Sequence, residues 1–281
     1  MIIDGLSKRE VKSMPETDEL RISVLASGSA GNVTYVETPH KRVLIDAGLS
    51  GKKIEGLLAS INRDPHDLDG IFVTHEHTDH CRGVGVLARR YGLDVYANDA
   101  TWQAMATKIG DVPEDQHHSF EMGTTLSLGD LDVESFGVSH DAAAPQFYEV
   151  HHRDHGFAIV TDTGYVSERV AGVIRDADGY LIECNHDPEM LRMGAYPWTL
   201  KQRILSDTGH LSNADGAMAL MSVVGNRTKH VYLGHRSKEN NVKELAHLTV
   251  ATMMKQHDFG VDHDFALLDT DPDQATPLTV I

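Results

Sequence analysis

One run of six residues constrains this chain more than anything else in it: His75-Glu76-His77-Thr78-Asp79-His80. It begins where a short apolar segment, residues 70–74, ends. Just beyond it, Val84, Leu87, Ala88 and Tyr91 take up helical spacing. The cluster therefore sits between a buried strand and the start of a helix, a place where side chains are held rigidly. A catalytic divalent ion needs neutral imidazoles and carboxylates at about 2.0–2.2 Å, with one position left for water. His75 and His77, at the strand end, suit one ion. Asp79 and His80, where the chain turns into the helix, suit a second.

The rest of the chain reads as short strands alternating with helices. Residues 22–26, 33–37 and 42–45 are rich in β-branched side chains and bounded by Gly, Pro or Asp, which predicts strands. Ile54, Leu57, Leu58 and Ile61 predict an amphipathic helix over residues 52–61. Further strands are expected near 94–97, 124–128, 132–136, 147–151, 157–161, 180–184, 230–233 and 265–268. Helices are expected near 199–205, 214–224 and 242–256. This pattern suits an α+β fold, two sheets packed together with helices outside. No Pro/Gly/Ser linker interrupts it, so residues 21–281 read as one domain, preceded by a leader or flexible arm over residues 1–20.

Charge and cysteine content narrow the setting. Lys and Arg number 25 against 42 Asp and Glu, a balance that on average repels nucleic acid and anionic membranes but says nothing of a local cleft. Two cysteines, Cys81 and Cys184, are too few for a disulfide framework and point to a reducing, cytoplasmic compartment. No apolar run is long enough to cross a bilayer, so no membrane partner is expected. Oligomeric state leaves no mark in the sequence.

Four ligands do not complete two ions. The best supplements also fall at strand ends: His140, Asp162 and His235. With them the pattern His-x-His-x-Asp-His, then isolated His, Asp and His, resembles the metallo-β-lactamase superfamily. That resemblance implies an αββα sandwich and two divalent ions. It implies His75, His77 and His140 on one ion, Asp79, His80 and His235 on the other, and Asp162 bridging them. It also implies that Asp46 orients a ligand from behind. Zinc is the first expectation, and manganese and iron suit the same donors. The segments 25–32, 46–50, 83–90, 185–187, 208–213 and 237–241 narrow the likeness to the YycJ/WalJ family of bacterial proteins, over residues 22–265. This implies a metal-dependent phosphodiesterase, a DNA exonuclease that attacks with a metal-bridging hydroxide. The chain departs from the family's pattern at Gly234 and Arg236, where Ser and Leu are expected, and its leader is longer.

The candidate roles follow from that reaction. Asp79 can orient the nucleophile, and His186 beside Asp187 is the candidate proton donor pair. Asp187 before Pro188 reads equally well as a helix cap. His210, Ser212 and Asn213 precede a helix whose terminal amides can receive a phosphate, although Asn213 can also be a simple N-cap. Ser27, Gly28 and Asn32, in a Gly-rich turn, and Arg236 complete the expected substrate contacts. Lys52, Lys53, Arg82, Arg89, Arg90, Lys201, Arg203 and Lys238 form a candidate phosphate-binding rim. Cys81 reads as a buried filler, and His117-His118 and residues 151–155 as hairpin turns. Two other functions compete. A small-molecule hydrolase of the same fold would take a thioester, lactone or cyclic phosphodiester. A regulatory binding protein with structural metals would not need so complete a mixed His/Asp set.

Overall fold

The computed structural model describes residues 18–281, so the leader expected over residues 1–20 lies outside the described residues up to residue 17. Residues 18–20 adjoin the domain: Leu20 is fully buried and its carbonyl accepts a bond from the Ile281 amide. Two mixed sheets of seven strands face each other. The first contains β1 (Arg21–Ala26), β2 (Val33–Glu37), β3 (Arg42–Ile45), β4 (Gly70–Phe72), β5 (Asp94–Ala97) and β6 (His117–Ser119) in sequence order. The second contains β7 (Thr125–Leu128), β8 (Leu131–Gly137), β9 (Gln146–His152), β10 (His155–Val160), β11 (Gly179–Glu183), β12 (His230–Gly234) and β13 (Ala266–Asp269). A last strand, β14 (Thr279–Val280), returns to pair with β1.

Each sheet passes from antiparallel hairpins to parallel strands: β1–β2–β3 then β3–β4–β5–β6, and β7–β8–β9–β10 then β10–β11–β12–β13. The parallel strands read as continuous apolar runs because both of their faces are covered. On β3 the pleat divides the work. Val43 and Ile45 join the core between the sheets, while Leu44 joins the core under the helices. That outer layer consists of α1 (Gly51–Ser60), α3 (Val84–Tyr91) and α4 (Asp99–Ile109), with the short α2 (Thr78–Cys81) carrying the histidine cluster. Beyond the second sheet lie α5 (Glu168–Val173), α8 (Asn213–Val223) and α9 (Lys243–Gln256), with α6 (Pro188–Met193) and α7 (Trp198–Ile204) near the site. The result is the αββα sandwich.

Strand β6 and helix α4 are among the elements that the sequence pattern does not predict. His117 and His118 belong to edge strand β6, where the His117 ring stacks on Trp102 with centroids 3.6 Å apart. The helix α4 has a narrow buried stripe, Trp102, Met105 and Ile109, broken by Thr and Gln. Cys81 and Cys184 are buried free thiols, and burial raises the Cys81 thiol to about 11, as expected for a filler rather than a reactive group.

Candidate metal centre

The site lies where the parallel strands of both sheets end. His75 follows β4, Asp162 follows β10, Glu183 closes β11 and His235 follows β12. Three residues at these strand ends depart from ordinary backbone: Asp46, Asp162 and His235 have φ of 62°, 50° and 49°. Left-handed conformations in residues other than glycine cost on the order of 1–3 kcal/mol each and persist where the surroundings over-determine them. Here they turn side chains sharply out of the strands and back toward one point. Gly48 lets the 46–48 loop lie directly beneath the histidine turn, since a Cβ there would meet the Asp79 carbonyl oxygen at 1.6 Å. That loop then receives and gives backbone bonds: Ala47 N to His80 O at 2.8 Å and Gly83 N to Ala47 O at 2.7 Å.

The first group is His75, His77 and His140, whose ligand atoms all lie within 4.8 Å of one another. The Asp46 carboxylate accepts from the Thr74 hydroxyl at 2.9 Å, and that hydroxyl in turn accepts from His75 Nδ1 at 2.9 Å. His75 Nε2 is then left buried without a partner. His140 Nδ1 donates to the Gly209 carbonyl at 3.1 Å, leaving Nε2 to face His77 Nδ1 at 3.3 Å. Burial, with His80 adding to it, holds His75 well below its usual range, and burial lowers His140 too. Neutral imidazoles whose lone pairs converge are what a metal ion requires.

The second group is Asp79, His80, Asp162 and His235, again within 4.8 Å. His80 Nδ1 donates to Asp46 Oδ2 at 2.7 Å and presents Nε2 to Asp162 Oδ2 at 3.1 Å. His235 Nδ1 donates to Glu183 Oε1 at 2.7 Å, and its Nε2 lies buried without a hydrogen bond, 3.6 Å from Asp79 Oδ2. Burial opposes charge on both rings. The carboxylates of Asp162, Asp46 and Asp79 outweigh it at His80, and those of Asp162, Asp79 and Glu183 lift His235 to about 10. Asp162 itself is held well below the usual carboxylate range, its burial outweighed by His235 and His80. Its Oδ1 is 3.8 Å from His140 Nε2, so it reaches both groups. The carboxylates demand positive charge at this point, and the donor set fits a divalent metal.

Glu183 is the functional residue that the sequence reading missed. Fully buried, it accepts from His235 and from His210 Nδ1 at 2.8 Å through one oxygen, and from the Thr163 and Leu211 amides at 3.1 Å through the other. Against its burial, His210 and His235 draw it down to about 2. It does for His235 what Asp46 does for His80. His210 shares its carboxylate, and its ring centroid is 5.1 Å from that of His140 and 5.2 Å from that of His235.

Several expected contacts are engaged elsewhere. Asp187 caps α6, accepting from the Glu189 and Met190 amides at 3.0 and 2.9 Å, so it does not pair with His186. His186 is buried, lacks partners on both nitrogens and is pushed down to about 4 by burial. Ser212 forms a capping box with Asp215, and the Asn213 amide bonds the His186 carbonyl at 2.9 Å, so the α8 terminus is already satisfied. Asn213 instead exchanges side-chain bonds with Asn241. Ser27 accepts from the His235 amide at 2.7 Å. Asn32 binds the Gly28 amide at 3.0 Å and approaches His80 Nε2 at 3.1 Å. Both are buried props of the ligands rather than open substrate contacts. The Arg236 guanidinium bonds the Leu233 and Thr270 carbonyls. Lys53, Arg89, Arg90, Lys201 and Arg203 are likewise held by Asp273, by backbone carbonyls, by Glu55, by the α6 carbonyls and by Asp141. Of the expected rim, Lys52, Arg82 and Lys238 are exposed and their side chains engage no partner among the described residues.

A sandwich of two sheets with histidines and aspartates gathered at their shared edge is the architecture of a metallohydrolase, and a model described as a beta-lactamase superfamily domain matches residues 41–235. The chain is 62% identical over 263 residues to the exodeoxyribonuclease WalJ of Streptococcus pneumoniae serotype 2, covering 93% of itself and 98% of that protein. It is 52% identical over 262 residues to the exodeoxyribonuclease YycJ of Bacillus anthracis, covering 93% and 99%. The metallo-beta-lactamase fold protein YhfI from Bacillus subtilis shares the fold at a TM-score of 0.69 and 15% identity, over 92% of this chain and 99% of that one. The chain therefore belongs to the YycJ/WalJ family of the metallo-β-lactamase superfamily.

Proposed function

We propose that this chain is a metal-dependent exodeoxyribonuclease. In this reading His75, His77 and His140 hold one divalent ion, Asp79, His80 and His235 hold a second, and Asp162 serves both. The observation that carries it is the pair of buried ligand groups at the shared edge of the sheets, each with its ligand atoms within 4.8 Å of one another, in which His75 Nε2 and His235 Nε2 are buried without hydrogen-bond partners. The two relatives named as exodeoxyribonucleases, matched nearly end to end, support DNA as the substrate over a small ester. Zinc is the favoured metal. The buried free thiols and the lack of any described helix able to cross a membrane support a cytoplasmic setting.

When bound, the ions would polarise the phosphodiester and supply an activated water at neutral pH. The chain's own residues do the rest. Asp79, partly exposed and with Oδ2 3.6 Å from the Nε2 atoms of both His80 and His235, is placed to orient the attacking water. His210 replaces His186 as the proton donor to the leaving oxygen. Glu183 fixes its Nδ1 and raises its pKa against the effect of burial, so the ring stays protonated and available as an acid.

The test is digestion of duplexes labelled at the 5′ or the 3′ end, with metals or with chelator. Stepwise release from one labelled end, abolished by chelator, is the expected result. Fast turnover of a lactone, thioester or cyclic diester with inert DNA would favour the small-molecule reading instead. Salt supplies a second check. If Arg82 and Lys238 touch backbone phosphates, binding falls with salt at a log–log slope of roughly −0.9 per phosphate contacted, and Arg82→Ala flattens it by about one unit. Arg236→Ala is expected to leave the slope alone, because its guanidinium already bonds backbone carbonyls.

A further inference from the structure

A second cluster lies on the other face of the second sheet, away from the centre described above. Tyr148 on β9 points inward, its hydroxyl bonding the Val73 carbonyl at 2.8 Å, so its neighbours Glu149 and His151 point outward. Glu149 stands directly opposite Glu134 on β8. Like charges so placed destabilise a strand pair. Glu149 is also only 4% exposed, and among the described residues its carboxylate accepts no hydrogen bond. A buried, unpartnered carboxylate is costly. Burial and Glu134 push it up to about 8. The Arg227 guanidinium, which pulls the other way, is engaged by Asp178 and the Asp154 carbonyl.

The geometry around it is that of an open ligand set. His151 Nε2 is 3.9 Å from both Glu134 Oε2 and Glu149 Oε2. Burial lowers the His151 pKa, so the ring is a neutral donor and not the counter-ion. Ligand atoms around a tetrahedral ion stand roughly 3.4 Å apart at ordinary zinc bond lengths, so a small side-chain rotation closes the set. On β10 the position facing His151 is Gly156. A Cβ there would meet Glu149 Oε1 at 2.9 Å and His151 Nδ1 at 3.1 Å, and its absence keeps the space open. Glu134 and His151 are part-exposed, which leaves an entry path and room for water. Six residues along the strand direction separate Gly156 from Asp162, about 20 Å at the usual rise, so this is a separate place.

We infer that Glu134, Glu149 and His151 bind one divalent transition-metal ion, of the kind that imidazole with carboxylates selects, and that this ion ties β8 to β9. The probe is zinc. Full-length wild type, Glu134→Gln and His151→Asn are dialysed to equilibrium against the same low zinc concentration and their metal content is measured. Each variant is expected to hold one ion fewer than wild type, with DNA turnover unchanged. Glu149→Gln, which keeps the shape of the buried side chain, is likewise expected to hold one ion fewer than wild type. Equal zinc content in wild type and both variants would overturn the site, as would loss of every ion from either one. None of these readings depends on what the other centre does.

Discussion

Asp162→Ala is expected to lower metal occupancy at both positions of the principal centre together, and turnover of DNA with it by on the order of 10⁴-fold or more, the scale of losing a water activated at neutral pH. The argument is positional. Asp162 stands 3.1 Å from His80 and 3.8 Å from His140, so one carboxylate reaches both groups of imidazoles. Its left-handed backbone makes alanine a strained replacement, so Asp162→Asn is the companion variant, because asparagine tolerates that conformation. His77→Ala, by contrast, should weaken one ion and leave the other. Metal analysis across a titration separates these cases. An Asp162→Asn protein that binds two ions as wild type does would end the bridging assignment.

The second large effect belongs to His210. His210→Ala is expected to keep its ions and lose about 10²–10⁴-fold in turnover on DNA, the usual share of a positioned general acid. The defect should shrink on a phosphodiester whose leaving group needs no proton, such as a nitrophenolate. His186→Ala should fall well short of it, because burial keeps His186 neutral and Asp187 is turned away to cap α6. Equal losses on both kinds of substrate would remove His210 from the proton path.

Much of this was legible in the chain itself, and the reasons for the rest are physical. The histidine turn could be read because its ligands are close in sequence and are bounded by a strand and a helix of opposite periodicity. His140, Asp162 and His235 could be placed because each ends a strand whose apolar run is visible. Glu183 also ends such a strand, yet its partners, His210 and His235, are 27 and 52 residues away, and nothing local marks it as their common acceptor. The His186-Asp187 pair misled for the opposite reason. Adjacent residues rarely face each other, and an aspartate before a proline has a nearer use at a helix start. Arg236 and its companions look like free charge in the sequence, but charge alone does not reveal which carbonyls a guanidinium has already found.

The principal centre draws His75, His77, Asp79 and His80 from the first sheet and His140, Asp162 and His235 from the second. Any ion held there is therefore a rivet through two halves that otherwise meet through side-chain packing and scattered hydrogen bonds, such as that from the Gln146 amide to the Thr74 carbonyl at 3.1 Å. Its binding free energy would fall on the seam and not on either half, so the halves would melt as one unit in the loaded protein. Stripped of metal, the seam would be the first line along which the molecule breathes. Amide exchange would quicken on the inner faces of both sheets before either outer helical layer loosened.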